Sequence, residues 1–343
     1  MIKNIVTFAF MLFLMAKNSF AYEFNRIDRL FNAIESNHIQ KANLVEVSNS
    51  IFKTIHNYDN SIRVYNNGTK AFLYKDDILV KAFSLPKKDS SYDLWKNTLL
   101  NVVNEASHKS GKIQNNYIQF EKQIVKEAIN SIDTYSRIEH FDGRKKGIEF
   151  SVDENILYIK TSSFYNGISK DIKDIILSNI NCDGLILDLR NNRGGSFNEA
   201  ILTSDLFLDD AIIAYSIEKD NTTKYFNATT GDIFDGKNII ILVNKYTASA
   251  SEVVVASLSE QSRATIVGTN TYGKGTLQTT YNEGSDVWFI SKGQFYSPSG
   301  NKIENIGISP QICTGVGGSC NIDDKNDSKD ILFAINLIKN KLG

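Results

Sequence analysis

Apolar and polar positions follow two periods along this chain, and the switches between them mark out its elements. Over residues 25–54 apolar side chains recur at Ile27, Leu30, Phe31 and Ile34 and again at Val45, Val47 and Ile51, which predicts helix with one buried face. Residues 61–84 change period. SIRVYNN, TKAFLYK and DILVKAFS are short alternating runs split by Asn-Gly and Asp-Asp, which predicts a small β-meander. Leu85-Pro86 and the polar stretch after it break that pattern, and residues 92–107 and 117–132 return to helical spacing.

From about Gly147 the texture becomes an alternation of strand and helix. NILYIKTSSF reads as a strand, SKDIKDIILSNI as a helix, and GLILDLR as a strand with a nearly continuous apolar run. A glycine turn and the helical segment FNEAILTSDLFL follow, then the strand NIIILVN, a helix over SASEVVVASL, and the short strand ATIVG. SKDILFAINLIKNKL closes the chain as an amphipathic helix. Buried strands alternating with helices predict an α/β core with largely parallel pairing.

Composition changes this picture little. The chain has 343 residues, 42% of them hydrophobic and 22% charged, with a net charge of -1 and no sustained basic stripe. That balance is ordinary for a globular protein and argues against nucleic-acid binding. Residues 1–21 stand apart: Lys3, an apolar run over 5–16, and Ser19-Phe20-Ala21 as a small-x-small cleavage site. This layout predicts a cleaved signal peptide and a periplasmic or secreted protein, with an uncleaved anchor as the alternative. No later stretch is apolar enough to cross a membrane. Export would put the three cysteines in an oxidising compartment. Cys313 and Cys320 bracket TGVGGS and are candidates for a disulfide, which leaves Cys182 unpaired and buried beside the strand after it. No Cys/His spacing suggests zinc, and no cofactor is expected.

Candidate chemistry gathers in the α/β half. In LDLRNNRGG, residues 187–195, a buried strand ends in a turn with paired glycines, which is suited to aiming backbone N–H groups at an anion and is also ordinary turn chemistry. In KYTASASEVVVA, residues 245–256, a strand and turn deliver a serine to a helix start, where its hydroxyl lies beside free N–H groups. Ser249 with Glu252 is also a capping box, which explains the serine structurally without any catalysis. A nucleophilic serine needs a base, and all four histidines (His38, His56, His108, His140) precede residue 141. A Ser-His-Asp triad within this half is therefore impossible. His108 or His140 would have to reach in from the other half. The remaining candidate is a lysine, which serves as a base only where burial lowers its pKa. TYGKGTLQ, residues 271–278, supplies Lys274 between two glycines. Gly275 after the lysine rules out a P-loop, which requires Ser or Thr there. Ser50 and Lys53 form an S-x-x-K tetrapeptide, but no Lys-Thr-Gly accompanies it.

Taken together, ILDLRNNRGG, the SASE helix start, YGKGTLQ and the late SPSGNKIENIGISP stretch resemble the C-terminal processing peptidases, or tail-specific proteases, over residues 155–312. In that family a lysine lies 25 residues after the nucleophilic serine and a glutamine four further on, spacings that Ser249, Lys274 and Gln278 meet and Ser251 misses. The resemblance implies that Ser249 attacks a peptide carbonyl, that neutral Lys274 takes its proton and returns it to the leaving amine, and that Gln278 orients the lysine. It implies an oxyanion hole from Ala250 N–H and one N–H of the Gly194-Gly195 turn, and spacing leaves open which glycine donates. Arg193 stands where the family often has proline. IDTYSRIEHF resembles the segment just before the family's PDZ domain, yet the strand NILYIKTSSF follows too closely for a domain of roughly 80–100 residues.

The resulting expectation has three parts. They are a signal peptide (1–21), a mostly helical region with a β-meander (22–140), and a crotonase/ClpP-like α/β Ser-Lys peptidase core (147–343). The expected activity is exported endopeptidase hydrolysis through an acyl-enzyme, with processing of protein C-termini as the family's implied task. Peptides or unfolded proteins are the substrates, and a homo-oligomer or an adaptor protein is compatible. The alternative is a catalytically silent peptide- or ligand-binding protein on the same fold.

Overall fold

The structure is a computed structural model that describes residues 24–140, 147–229, 231–323 and 327–340; the expected signal peptide lies outside the described residues. The chain divides into two compact units, one running to Glu139 and including Trp288–Ile290, the other formed by His140–Val287 and the residues from Ser291 onward.

In the first unit the apolar periodicity over 25–54 yields two helices, α1 (Asn25–Asn37) and α2 (Leu44–Tyr58). The chain leaves the helix at His38, whose ψ is 127°. The buried His38 ring bridges Gln40 O at 2.5 Å and Asp133 Oδ2 at 2.7 Å, so a polar anchor interrupts a run that hydrophobic spacing alone reads as one element. The meander follows as β1 (Ile62–Asn66), β2 (Lys70–Lys75) and β3 (Ile78–Ser84), antiparallel in that order. Helices α3 (Tyr92–Lys109), α4 (Gly111–Asn115) and α5 (Tyr117–Asn130) lead to β4 (Arg137–His140). Buried Glu121 on α5 accepts the N–H groups of Arg26 at 2.6 Å and Ile27 at 3.2 Å, capping α1 from a distant helix.

Asp133 is the acceptor hub beneath that break. Its carboxylate takes the N–H groups of Tyr135 (2.6 Å) and Ser136 (2.7 Å) and the Ser136 hydroxyl (2.7 Å) besides His38. Burial alone would raise its pKa, but the bonds from His38, Ser136 and Tyr135 outweigh it and hold the carboxyl below the ordinary carboxylate range. A depressed folded pKa stabilises the protein above the ordinary value of 3.8, and that contribution disappears as pH falls through the folded value. Asp133→Asn is therefore expected to lower stability at neutral pH by about 2–4 kcal/mol. It should also flatten the acid limb of a Tm-versus-pH curve below the ordinary carboxyl pKa.

The second unit is built on a six-stranded sheet in the order β14-β11-β10-β7-β6-β5. Its strands are β5 (Ile148–Asp153), β6 (Ile156–Thr161), β7 (Gly184–Asp188), β10 (Asn238–Val243), β11 (Thr265–Gly268) and β14 (Ile312–Cys313). All are parallel except β5, which runs antiparallel beside β6. Every residue of β7 is buried, as its continuous apolar run requires of a central strand covered on both faces. Helices α6 (Ile168–Ser178), α7 (Phe197–Asp205) and α8 (Ala250–Glu260) belong to the larger core with Leu185, Leu187 and Ile241. On the other face Ala334 and Ile338 of α9 (Asp327–Asn340) pack with Ile186, Ile240 and Val267.

A second sheet, in the order β12-β13-β8-β9, was not expected from the sequence. It has five strands: β8 (Ile212–Glu218), β9 (Thr223–Asn227), β12 (Thr276–Glu283), β13 (Asp286–Tyr296) and, off that path, β4, which pairs with β13; β8 is antiparallel to both β9 and β13. The parallel strands β6, β7, β10 and β11 all end on one edge of the main sheet. The loops beyond those carboxyl ends carry the candidate chemistry, as is usual for open α/β sheets.

Candidate active site

Ser249 sits between β10 and α8 with φ 58° and ψ -119°, a conformation that L-residues rarely adopt. Such a strained strand–turn–helix junction exposes a serine hydroxyl at the top of a sheet. The turn before it is tightly bonded. Asn244 N–H donates to Thr247 Oγ1 at 3.0 Å, Thr247 Oγ1 to Leu189 O at 2.9 Å, and Ala248 N–H to Asn192 O at 3.0 Å. Ser249 remains half-buried, whereas Ser251 is fully buried and its Oγ donates to Asn192 O at 3.0 Å. Of the two serines, only Ser249 is partly exposed.

Asn192, also fully buried, organises the glycine turn after β7. Its Nδ2 donates to Thr161 O at 3.0 Å, and its Oδ1 accepts the Gly194 N–H at 2.9 Å. The Gly194 N–H is therefore engaged. Gly195 pairs with Phe164 as an isolated parallel bridge, in which Phe164 N–H donates to Gly194 O at 2.9 Å and Ser196 N–H to Phe164 O at 2.7 Å. Among the described residues neither the Gly195 N–H nor the Ala250 N–H has a hydrogen-bond partner. Gly194 has φ +93°, and a Cβ there would lie 2.7 Å from Ala248 O and 2.9 Å from both Ala250 N and Ser249 Cβ. Gly194→Ala is therefore expected to cost about 2–4 kcal/mol in urea unfolding, from strained φ plus backbone overlap at the serine.

The lysine-bearing loop is gripped by two buried carboxylates. Glu252, with no exposed surface, accepts Ser249 N–H (2.8 Å) and Lys274 N–H (2.8 Å) on Oε2, and Gly273 N–H (2.7 Å) and the Thr271 hydroxyl (2.6 Å) on Oε1. One oxygen atom thus joins the backbones of Ser249 and Lys274. Burial pushes the Glu252 carboxyl above its ordinary pKa, and the bonds from Thr271, Lys274, Gly273 and Ser249 oppose that shift only in part. On the far side, Glu304 Oε2 accepts Gly275 N–H and the Thr276 hydroxyl, both at 2.8 Å. The half-buried Lys274 extends its Nζ to Gln278 Oε1 at 2.9 Å. The capping-box reading of Glu252 accounts for only one of these four bonds.

Other sequence candidates fall elsewhere. Ser50 lies within α2 and donates to Glu127 O at 2.9 Å, with Lys53 exposed on the same helix. Arg193, in place of the family's common proline, lies over the Tyr246 ring at 5.9 Å. Buried Arg190 forms a fork on Asp188 (Nε to Oδ1 2.9 Å, NH2 to Oδ2 2.6 Å) and reaches Asp330 on α9 at 3.1 Å, which ties the start of the turn to that helix. Cys313 and Cys320 have Cα atoms 4.8 Å apart, and Cys182 is buried.

Residues 155–314 match the family model for peptidase family S41. Across 176 residues the chain is 38% identical to a carboxy-terminal-processing protease of Bartonella bacilliformis, covering 49% of this chain and 40% of that protein. Across 163 residues it is 34% identical to carboxyl-terminal-processing peptidase 3, chloroplastic, of Arabidopsis thaliana, covering 46% of this chain and 31% of that one. The chain thus matches less than half the length of either relative. A lipoprotein structure from Streptococcus agalactiae shares the fold, with a TM-score of 0.52 and 20% identity over 70% of this chain and 88% of that one. The matched segment takes in β6 through β14, and with them the Ser249, Gly194 and Lys274 loops.

Proposed function

We propose that this chain is a serine endopeptidase in which Ser249 is the nucleophile, Lys274 the general base and Gln278 its orienting partner. The observation that carries the reading is Glu252 Oε2, which accepts the N–H groups of Ser249 and Lys274 at 2.8 Å each and so brings the two loops together. Ser249 Oγ attacks the peptide carbonyl while Lys274 Nζ takes its proton. The oxyanion forms against the N–H groups of Ala250 and Gly195, since the Gly194 N–H is already taken by Asn192. Lys274 then returns the proton to the leaving amine, and water hydrolyses the acyl-enzyme on Ser249.

The substrates on this reading are peptides or unfolded polypeptides presented in extended form, with protein carboxyl termini as one class. The described residues provide no room for a PDZ domain between His140 and β5, so recognition of termini would rest on the S41 segment or the first unit. We place the mature protein outside the cytoplasm, on the strength of the leader-like residues 1–21 and the paired Cys313 and Cys320. The test is incubation with an unfolded polypeptide and mapping of the new termini. Cleavage is expected from wild type and Ser251→Ala and is absent from Ser249→Ala. Equal cleavage by Ser249→Ala would overturn the reading.

A further inference from the structure

The loop that carries Lys274 is also fastened from its other end. Residues 267–270 lead into it from β11, and the segment 312–323 runs along them. β14 pairs with β11 through Val267–Ile312 and Gly268–Cys313, and Thr314 N–H donates to Gly268 O at 3.0 Å. Asn270 N–H then donates to Cys320 O at 2.8 Å, Asn270 Nδ2 to Asn321 Oδ1 at 2.8 Å, and Thr269 Oγ1 to Asp323 Oδ1. The next residue, Thr271, is the one whose hydroxyl donates to Glu252.

Cys313 and Cys320 stand at the two ends of this grip. Cys313 is on the strand that meets Gly268, and Cys320 supplies the carbonyl that holds Asn270. Their Cα separation of 4.8 Å lies within disulfide range. Both are partly exposed, and the link between them passes through exposed Val316, Gly317 and Gly318, so a soluble reductant can reach the bond. The closed loop is short, with a sequence separation of 7. A short loop restricts the unfolded chain less than a long one does, so the bond acts mainly on local geometry rather than on global stability.

We propose that Cys313–Cys320 is a reversible, dithiol-reducible site that latches the Lys274 loop, with the oxidised form competent and the reduced form impaired. A thiolate of a dithiol reductant attacks one sulfur and expels the other as a thiolate. Its second thiol then resolves the mixed disulfide. Two electrons and two protons pass to the protein, giving two cysteine thiols, and the reductant leaves as its own disulfide. Without the bond, 314–323 is no longer fixed at both ends, and Cys320 O and Asn321 cease to hold Asn270 in place. The activity readout rests on the peptidase reading; a second readout does not.

The test compares full-length protein oxidised, reduced with dithiothreitol, and reoxidised, measuring polypeptide cleavage together with amide hydrogen exchange. Reduction is expected to lower kcat/KM about tenfold or more, because small displacements of a base are costly. Reoxidation should restore it. Cys313→Ser/Cys320→Ser should be fixed at the reduced level and indifferent to dithiothreitol, and Cys182→Ser should respond like wild type. Exchange at Asn270 and Thr271 should rise on reduction while β7 and β10 keep their protection. Unchanged activity and unchanged exchange at Asn270 would overturn the proposal. So would a loss of protection spread evenly through β7 and β10, which would make the bond a global staple. If oxidised wild type and Ser249→Ala both fail to cleave, the peptidase reading is at fault, and exchange at Asn270 alone then decides for or against the latch.

Discussion

Ser249→Ala is expected to lower the turnover of an unfolded polypeptide roughly 10³–10⁶-fold, with Lys274→Ala falling in the same range. The double variant should be no worse than either single one, because nucleophile and base act in one step and their effects do not add. The expectation follows from the geometry at the end of β10. Ser249 has a positive φ and is partly exposed, whereas Ser251 two residues later is buried and donates to Asn192 O. Substrate binding should survive in both variants, so KM is expected to change far less than kcat. Steady-state kinetics on a labelled peptide would separate the two, and a loss confined to KM would contradict the assignment.

Glu252→Ala carries the second large effect, on stability and turnover together. It leaves four donors without an acceptor in a buried region: Ser249 N–H, Thr271 Oγ1, Gly273 N–H and Lys274 N–H. A buried unpaired donor costs about 1–3 kcal/mol, and water can enter to recover part of that. A net loss of about 3–5 kcal/mol is expected in chemical unfolding, with turnover reduced by about 10²-fold in whatever fraction still folds. Glu252→Gln should fall between, since its amide nitrogen can serve neither pair of donors as an acceptor. Its pH dependence has a definite sign. Burial raises the folded pKa of Glu252 above the ordinary 4.5, so its contribution is fully present below that value and declines as pH climbs through the folded pKa. Wild type should therefore lose stability relative to Glu252→Gln as pH rises above about 4.5. A pH-independent difference would contradict that sign.

The parts of this structure legible in the sequence are those that depend on nearby residues. The continuous apolar run of β7 and the strand–turn–helix reading around Ser249 are local patterns, and the structure has both features. Glu252 shows where local reading stops. Its bond to Ser249 spans three residues and is visible as a capping box, but its bonds to Thr271 and Lys274 span 19 and 22, and only the fold brings those groups together. The break between α1 and α2 has the same origin, since its anchor Asp133 lies 95 residues from His38. The state of the glycine turn was equally hidden. Spacing treats Gly194 and Gly195 alike, whereas the side chain of Asn192 captures only the Gly194 N–H. The second sheet is less legible because its strands lack a clean alternation: β9 is exposed at every position but Phe226, and β8 buries Ile213 and Ala214 in succession. In β8, Ala214 and Ser216 are buried while Tyr215 faces outward to stack on Tyr296 at 5.0 Å.

On the proposed mechanism Ser249 is a nucleophile made reactive by Lys274. It is tested most directly by treating the protein with a serine-reactive fluorophosphonate and mapping the adduct by mass spectrometry. One adduct is expected, on Ser249, with unchanged labelling in Ser251→Ala, none in Ser249→Ala, and labelling slowed about 10²-fold or more in Lys274→Ala. An adduct on another residue, or equal labelling rates with and without Lys274, would contradict it.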